Sequence, residues 1–164
     1  MTREITNTEI TVVRAGEGER VGALGESLTI KAELEGFGFA ELTLMPGSQN
    51  PLHDHAAYEL FYVLEGTAEL GMIVDGRPTT WRAGPGDTIV APGGVPHSLH
   101  NPGDVPTRML IVYRHEMGTF FRDLSAQFGH VPGDRPPTEE EIGGVIGLAT
   151  SHGMTIYGPH PKGA

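Results

Sequence analysis

Two histidines two residues apart, with a glutamate four residues beyond the second, head an aromatic run: His53, His55 and Glu59 in HDHAAYELFYVLEG, residues 53–66. Imidazole and carboxylate are poor choices for a buried strand unless something pairs with them. On a strand, residues two apart share a face, so both rings can point at one centre. Glu59 keeps their parity. Imidazole nitrogen suits zinc, iron, copper or nickel. An H-x-H pair alone is more often surface or loop decoration, so the surrounding spacing has to decide.

Gly47 lies six before His53 and Gly66 seven after Glu59, which gives G-x5-H-x-H-x3-E-x6-G. A second string follows in Gly86, Pro92, Gly94, His97 and Asn101, read as G-x5-P-x-G-x2-H-x3-N. These strings resemble the two signature motifs of the cupin superfamily at all ten fixed positions. The resemblance covers roughly residues 25–115. GESLTIKAE, ELFYVLEG and the tail GTFFRDL…GMTIYGP look like small single-domain cupins described as quercetin-dioxygenase-like. Many of those carry one more residue between the second histidine and the glutamate. The resemblance implies an all-β jelly-roll barrel with one divalent transition metal inside. It implies His53, His55, Glu59 and His97 as the ligands and Asn101 as a structural residue. Three imidazoles and one carboxylate are too nitrogen-rich for calcium or magnesium; iron, manganese, nickel, cobalt, copper and zinc all remain open. Four protein ligands on an octahedral ion leave two positions for water, substrate or oxygen.

Parity with these residues nominates the pocket. Phe61 and Val63 share parity with Glu59, and Leu99 with His97, although plain core packing explains all three equally well. Glu41, in FAELTLM, faces either the outside of the barrel or its interior near the metal. His100, three after His97, faces the other way. His115, His130, His152 and His160 lie outside the motifs and read as solvated or structural.

The elements that must position these groups are short. Strand-like runs at 9–14, 27–34, 37–45, 58–65, 67–74, 87–91 and 107–113 are separated by glycine- and proline-rich turns. Asp75-Gly76 between β-like flanks predicts a hairpin. Many short strands at close spacing argue for an antiparallel sandwich or barrel rather than βαβ units. After Tyr113 the period changes. Phe120, Phe121, Leu124 and Phe128 fall at helical spacing with Gly129 as a stop, and the stripe reads as core or interface. Residues 130–137 read as a linker, and Thr138 with Glu141 as a capping box for a second helix ending near Gly153. Helices so placed pack on the barrel's outside or across one mouth. The 164 residues are expected to form one domain.

Acidic residues outnumber basic ones 21 to 11, so nucleic acid and anionic membrane surfaces are poor partners. With no cysteine, thiolate ligands and cysteine nucleophiles are excluded. No run is apolar enough for a membrane span and the first residues lack a secretory pattern, so a cytoplasmic location is expected. The sequence therefore predicts a metal-dependent enzyme of the dioxygenase type acting on a small hydroxy-keto, enediol or catechol-like molecule, with Glu59 or a pocket carboxylate as base. A non-redox isomerase, cyclase or decarboxylase and a small-ligand-binding module are the alternatives. The Tyr58, Leu60, Tyr62 and Leu64 face predicts a homodimer.

Overall fold

The computed structural model describes residues 10–129 and 135–162, in which short alternating runs pair into antiparallel sheets. The strands are β1 (Glu19–Ala23), β2 (Glu26–Leu34), β3 (Phe37–Leu44), β4 (Leu52–Asp54), β5 (Glu59–Glu65) and β6 (Ala68–Val74). They continue with β7 (Arg77–Ala83), β8 (Thr88–Ala91), β9 (Ser98–His100) and β10 (Thr107–Arg114). Two helices follow, α1 (His115–Phe128) and α2 (Glu139–Ser151), and then β11 (Thr155–Gly158). One sheet runs β1-β2-β3-β10-β5-β8, a second β7-β6-β9, and β11 pairs with β4. This is the jelly-roll barrel expected from the motifs, with helices added after it.

Alternation fixes which side chains enter the barrel. On β3, Gly38, Ala40, Leu42 and Leu44 are buried and the residues between them are not. β10 lies between β3 and β5, where Met109 pairs with Leu42 on one side and Val63 on the other. Those residues, with Ile30, Leu44, Phe61 and Ile111, form the core. The β6–β7 hairpin turns through Asp75 and Gly76 at φ 50° and 75°, the left-handed pair that a two-residue turn between twisted strands requires.

The helices cover one mouth of the barrel. Met117, Phe120, Phe121 and Leu124 of α1 and Val145 and Ala149 of α2 line the cavity beneath them. α2 starts at the predicted capping box: Thr138 accepts from the Glu141 N–H, and the Glu141 carboxylate accepts from the Thr138 N–H. Phe128 packs against Gly144, where a Cβ would lie 2.7 Å from the ring.

Several expectations fail for physical reasons. Residues 10–14 are not a strand; Ile10 and Val12 are exposed and no strand pairs with them among the described residues. Residue 9 and residues 130–134 of the expected linker lie outside the described residues. The first strand is instead β1, whose ERVGA carries too few apolar residues to stand out. β7, RPTTWRA, was hidden by its proline and polar residues, which a sheet edge tolerates.

Candidate metal centre

The two motifs are brought together by backbone pairing. His53 and His97 exchange N–H···O bonds of 3.0 and 2.9 Å, and the Gly94 N–H donates to the His55 carbonyl at 2.8 Å. Gly94 sits at φ 75°, so the turn before His97 needs a residue that tolerates the left-handed region. His53 extends from β4, His97 immediately precedes β9, and Glu59 opens β5. The three rings stand 4.8 to 5.4 Å apart, centre to centre. Each imidazole offers a nitrogen within 4.8 Å of the other two. Glu59 stands outside that group of three, but its Oε2 lies 3.3 Å from His55 Nε2 and 3.4 Å from His97 Nε2.

The second nitrogens explain the orientation. His53 Nδ1 lies 2.7 Å from the Pro51 carbonyl, His55 Nδ1 3.0 Å from the Ala57 carbonyl and His97 Nδ1 2.8 Å from the Val95 carbonyl. A carbonyl can only accept, so each Nδ1 carries a proton; His53 keeps its Nε2 lone pair, and the Nε2 atoms of His55 and His97 face the Glu59 carboxylate. Local backbone carbonyls thus fix all three tautomers, as outer-shell partners do around metal-bound imidazoles. His55 Nε2 is buried and makes no hydrogen bond despite its nearness to the carboxylate.

Electrostatics point the same way. Burial, helped by His97, pulls His53 down to about 4, so it is neutral at physiological pH. Burial pushes Glu59 up, but the facing imidazoles of His55 and His97 outweigh it and hold the carboxyl at about 2. Burial pulls His97 down as well, yet its contact with Glu59 leaves it raised. An ionised carboxylate buried among three imidazoles is a donor set in want of a cation. The residues fit a divalent transition metal: imidazoles with fixed tautomers, one ionised carboxylate, and an orphaned buried nitrogen.

His53 and Glu59 open onto a cavity of about 120 Å³ whose walls include Leu28, Leu42, Phe61, Leu99 and Ile111. Phe61 and Leu99 line this cavity. Val63 does not. It is fully buried one alternation further along β5, opposite Met109. Glu41 is also outside the pocket. The inward positions of β3 are even-numbered, so Glu41 faces out, where Lys31 Nζ lies 3.2 Å and an Arg108 nitrogen 3.7 Å from its carboxylate. Asn101 is structural: its Nδ2 donates to the carbonyls of Leu44 and Val105, and its Oδ1 accepts from the Gly103 N–H.

Sequence reasoning missed Glu26. It opens β2 on the same alternation as the buried Leu28 and Ile30, and it lines the cavity. Its Oε1 is buried without a hydrogen-bond partner. Burial first, and the nearby Glu59 charge second, push the carboxyl up to about 7. The signal was available as inward parity on β2, one residue before the expected start of the strand.

The model of the cupin domain family matches residues 40–113, which contain both motifs. These residues form a cupin domain. Germin-like protein 4-1 of Oryza sativa subsp. japonica is 31% identical over 129 residues, 70% of this chain and 51% of that protein. An acireductone dioxygenase of Rhodopseudomonas palustris is 44% identical over 47 residues, 29% of this chain and 28% of that one. The chain spans about half or less of the length of these curated relatives. Among solved structures, the polyketide cyclase RemF from Streptomyces resistomycificus superposes with a TM-score of 0.51 at 25% identity. That superposition covers 70% of this chain and 80% of the cyclase. No helix among the described residues of this cupin is long and apolar enough to cross a membrane.

Proposed function

We propose that this cupin is an enzyme in which His53, His55, Glu59 and His97 hold one divalent transition metal, and that it oxygenates a small hydroxy-keto, enediol or catechol-like molecule in a dioxygenase-type reaction. The observation that carries the reading is the arrangement of the donors: they face one centre with their tautomers fixed, and two of them open onto an apolar cavity. When bound, such an ion supplies Lewis acidity, and a redox-active one also supplies electrons for oxygen chemistry.

The chain's own residues supply the rest. The walls formed by Leu28, Phe61, Leu99, Phe120 and Phe121 exclude water and favour a small, mostly apolar substrate. Glu26, facing the same space with a carboxyl near neutrality, is placed to take the substrate's hydroxyl or enol proton and to return it later. Glu59, held ionised as a ligand, is a poorer base than expected from sequence, and this moves the proton-accepting role to Glu26. The similarity to an acireductone dioxygenase supports the oxygenase reading over the stretch it covers.

Glu26 also favours a second reading. A carboxyl able to carry a proton both ways, beside a Lewis-acidic ion, suits cyclisation or isomerisation, and the superposition on a polyketide cyclase spans most of both chains. The test is turnover of catechols, flavonols, β-diketones and hydroxy-keto acids in air and under nitrogen, with the metal the protein retains on purification. Product in air alone is expected. Equal product under nitrogen replaces the oxygenase with the cyclase or isomerase, and binding without turnover leaves a ligand-binding module.

A further inference from the structure

A second cluster of imidazoles and a carboxylate lies on the outer side of β9. Glu69 on β6 stands directly across from His100 on β9, and His160 reaches both from the segment after β11. Their ligand atoms lie within 4.8 Å of one another. Glu69 Oε1 is 3.3 Å from His100 Nδ1 and 3.4 Å from His160 Nε2. The His160 side chain is only 3% exposed, yet its Nε2 makes no hydrogen bond.

The surroundings are built. Gly71 lets the tail approach β6, since a Cβ there would fall 2.6 Å from Pro161 Cδ and 2.9 Å from His160 Cε1. Ser98 Oγ lies 2.9 Å from His160 Nδ1 and 3.5 Å from the Gly71 carbonyl oxygen. That contact orients the ring with Nε2 aimed at Glu69. Burial holds the ring below its ordinary range, with Glu69 opposing and His100 adding to the effect. The other carboxylate oxygen, Oε2, accepts from Arg82 Nε at 3.0 Å, which orients Oε1 toward the histidines. A buried ring nitrogen with no hydrogen bond, 3.4 Å from a carboxylate oxygen, is an arrangement that a cation resolves.

We propose that Glu69, His100 and His160 form a second metal site, separate from the motif centre, that takes a zinc-like divalent ion and ties the segment after β11 to the three-stranded sheet. Two imidazoles and one carboxylate, with water completing the shell, suit zinc, cobalt, nickel or copper and not calcium. Each histidine has a distinct role: His100 ligates through Nδ1 and His160 through Nε2, and Ser98 and Arg82 hold the outer atoms in place.

The experiment is a count of ions on the full chain, stripped with chelator and titrated with cobalt(II) or zinc, read by native mass spectrometry and by cobalt absorption. Wild type is expected to take two ions per chain, and His160→Gln and Glu69→Gln one. His97→Ala is expected to lose the other ion and keep this one, so failure of the motif centre and failure of the second site give different counts. The second ion should raise the melting temperature of wild type and leave that of His160→Gln unchanged. Should His160→Gln not fold, Glu69→Gln gives the same reading. Wild type taking a single ion that depends on His97 overturns the proposal, as does equal uptake by wild type and both cluster variants. The cluster would then be a metal-free clasp.

Discussion

Two clusters of imidazole and carboxylate flank β9, and one short run of chain serves both. His97 and Leu99 face the barrel interior, while Ser98 and His100 face the outer side toward Glu69 and His160. The chemistry of the two sets is nearly the same, but their construction differs. The inner set comes from two short motifs joined by backbone pairing, including the bridge of His53 with His97. Each of its rings is fixed by a carbonyl only two residues away. The outer set is drawn from positions 69, 100 and 160, and depends on the tail folding back over Gly71. A site with local support keeps its geometry when distant parts loosen. A site with long-range support reports on them.

The largest expected effect separates the two sets. His55→Ala or His97→Ala should weaken metal binding at the inner centre by at least about a hundredfold, because each removes a donor and leaves the buried Glu59 carboxylate less well matched. Metal retained after gel filtration is the readout. Uptake by the outer cluster should stay within about twofold of wild type, and loss of both ions together would show that the clusters are not independent. Acidification should release metal from the inner centre as well, because the raised His97 regains its proton beside Glu59.

Glu26→Gln is the next largest. It should lower turnover by about a hundredfold or more while leaving metal content unchanged, as removal of a general base without a ligand does. Its stability has a defined pH dependence in the chelator-stripped protein. The Glu26 carboxyl is raised from 4.5 to about 7 in the fold, so ionising it opposes folding. Below about pH 4.5 it is protonated in both states and costs nothing. Between there and pH 7 the cost grows to about 3 kcal/mol and then levels off. Glu26→Gln should match wild type at pH 4 and exceed it at pH 8 in denaturant melts. A constant difference across that range would remove Glu26 from the buried cavity.

How much of this was legible follows the same division. Both motifs, the fold, the β6–β7 turn at Asp75-Gly76 and the α2 cap at Thr138 could be read because each is fixed by neighbours in sequence. Glu26 and His160 could not, for different reasons. Glu26 needed the start of β2 placed to within one residue, and strand ends are set by pairing: here Glu26 meets Ala23 and Leu44. His160 needed the path of the tail, which Gly71 and Pro161 decide through contacts far apart in sequence. Glu41 failed because a carboxylate on an alternating strand has two possible faces, and only the observed burial of Ala40 and Leu42 chooses between them.

The homodimer expected from the sequence offers a control on whether both sites lie within one chain. Tyr58, just before β5, Tyr62 on β5 and Val90 on the neighbouring β8 are 59%, 44% and 60% exposed, and β8 is the free edge of its sheet. This face is expected to pair two copies at micromolar concentration. Tyr62→Glu should weaken the pair by about 2 kcal/mol, as loss of a central aromatic anchor does. Light scattering should report a monomer, and both metal counts should be unchanged. A fall in either count would mean that the partner copy completes that site.

The smallest effect tests the long-range support of the outer cluster. Thr138 caps α2, and its loss in Thr138→Ala should cost about 1 kcal/mol of stability. α2 leads through Met154 into β11, whose Ile156 pairs with His53 and whose end delivers His160. Fraying at the first turn of α2 therefore reaches the outer cluster through the position of the tail. It reaches the inner centre through the cavity walls at Val145 and Ala149 and through the pairing of Ile156 with His53, whose ring is itself held by the nearby Pro51 carbonyl. Zinc affinity at the outer cluster should fall by no more than about fivefold, the equivalent of that 1 kcal/mol. Affinity at the inner centre should not change measurably, because its rings are held by carbonyls at Pro51, Ala57 and Val95, which lie outside α2. Titration of the two sites in Thr138→Ala, with His97→Ala present to isolate the outer one, separates the responses. Equal weakening at both would mean that the inner centre also rests on the helices, and that the difference between the two clusters is one of sequence spacing alone.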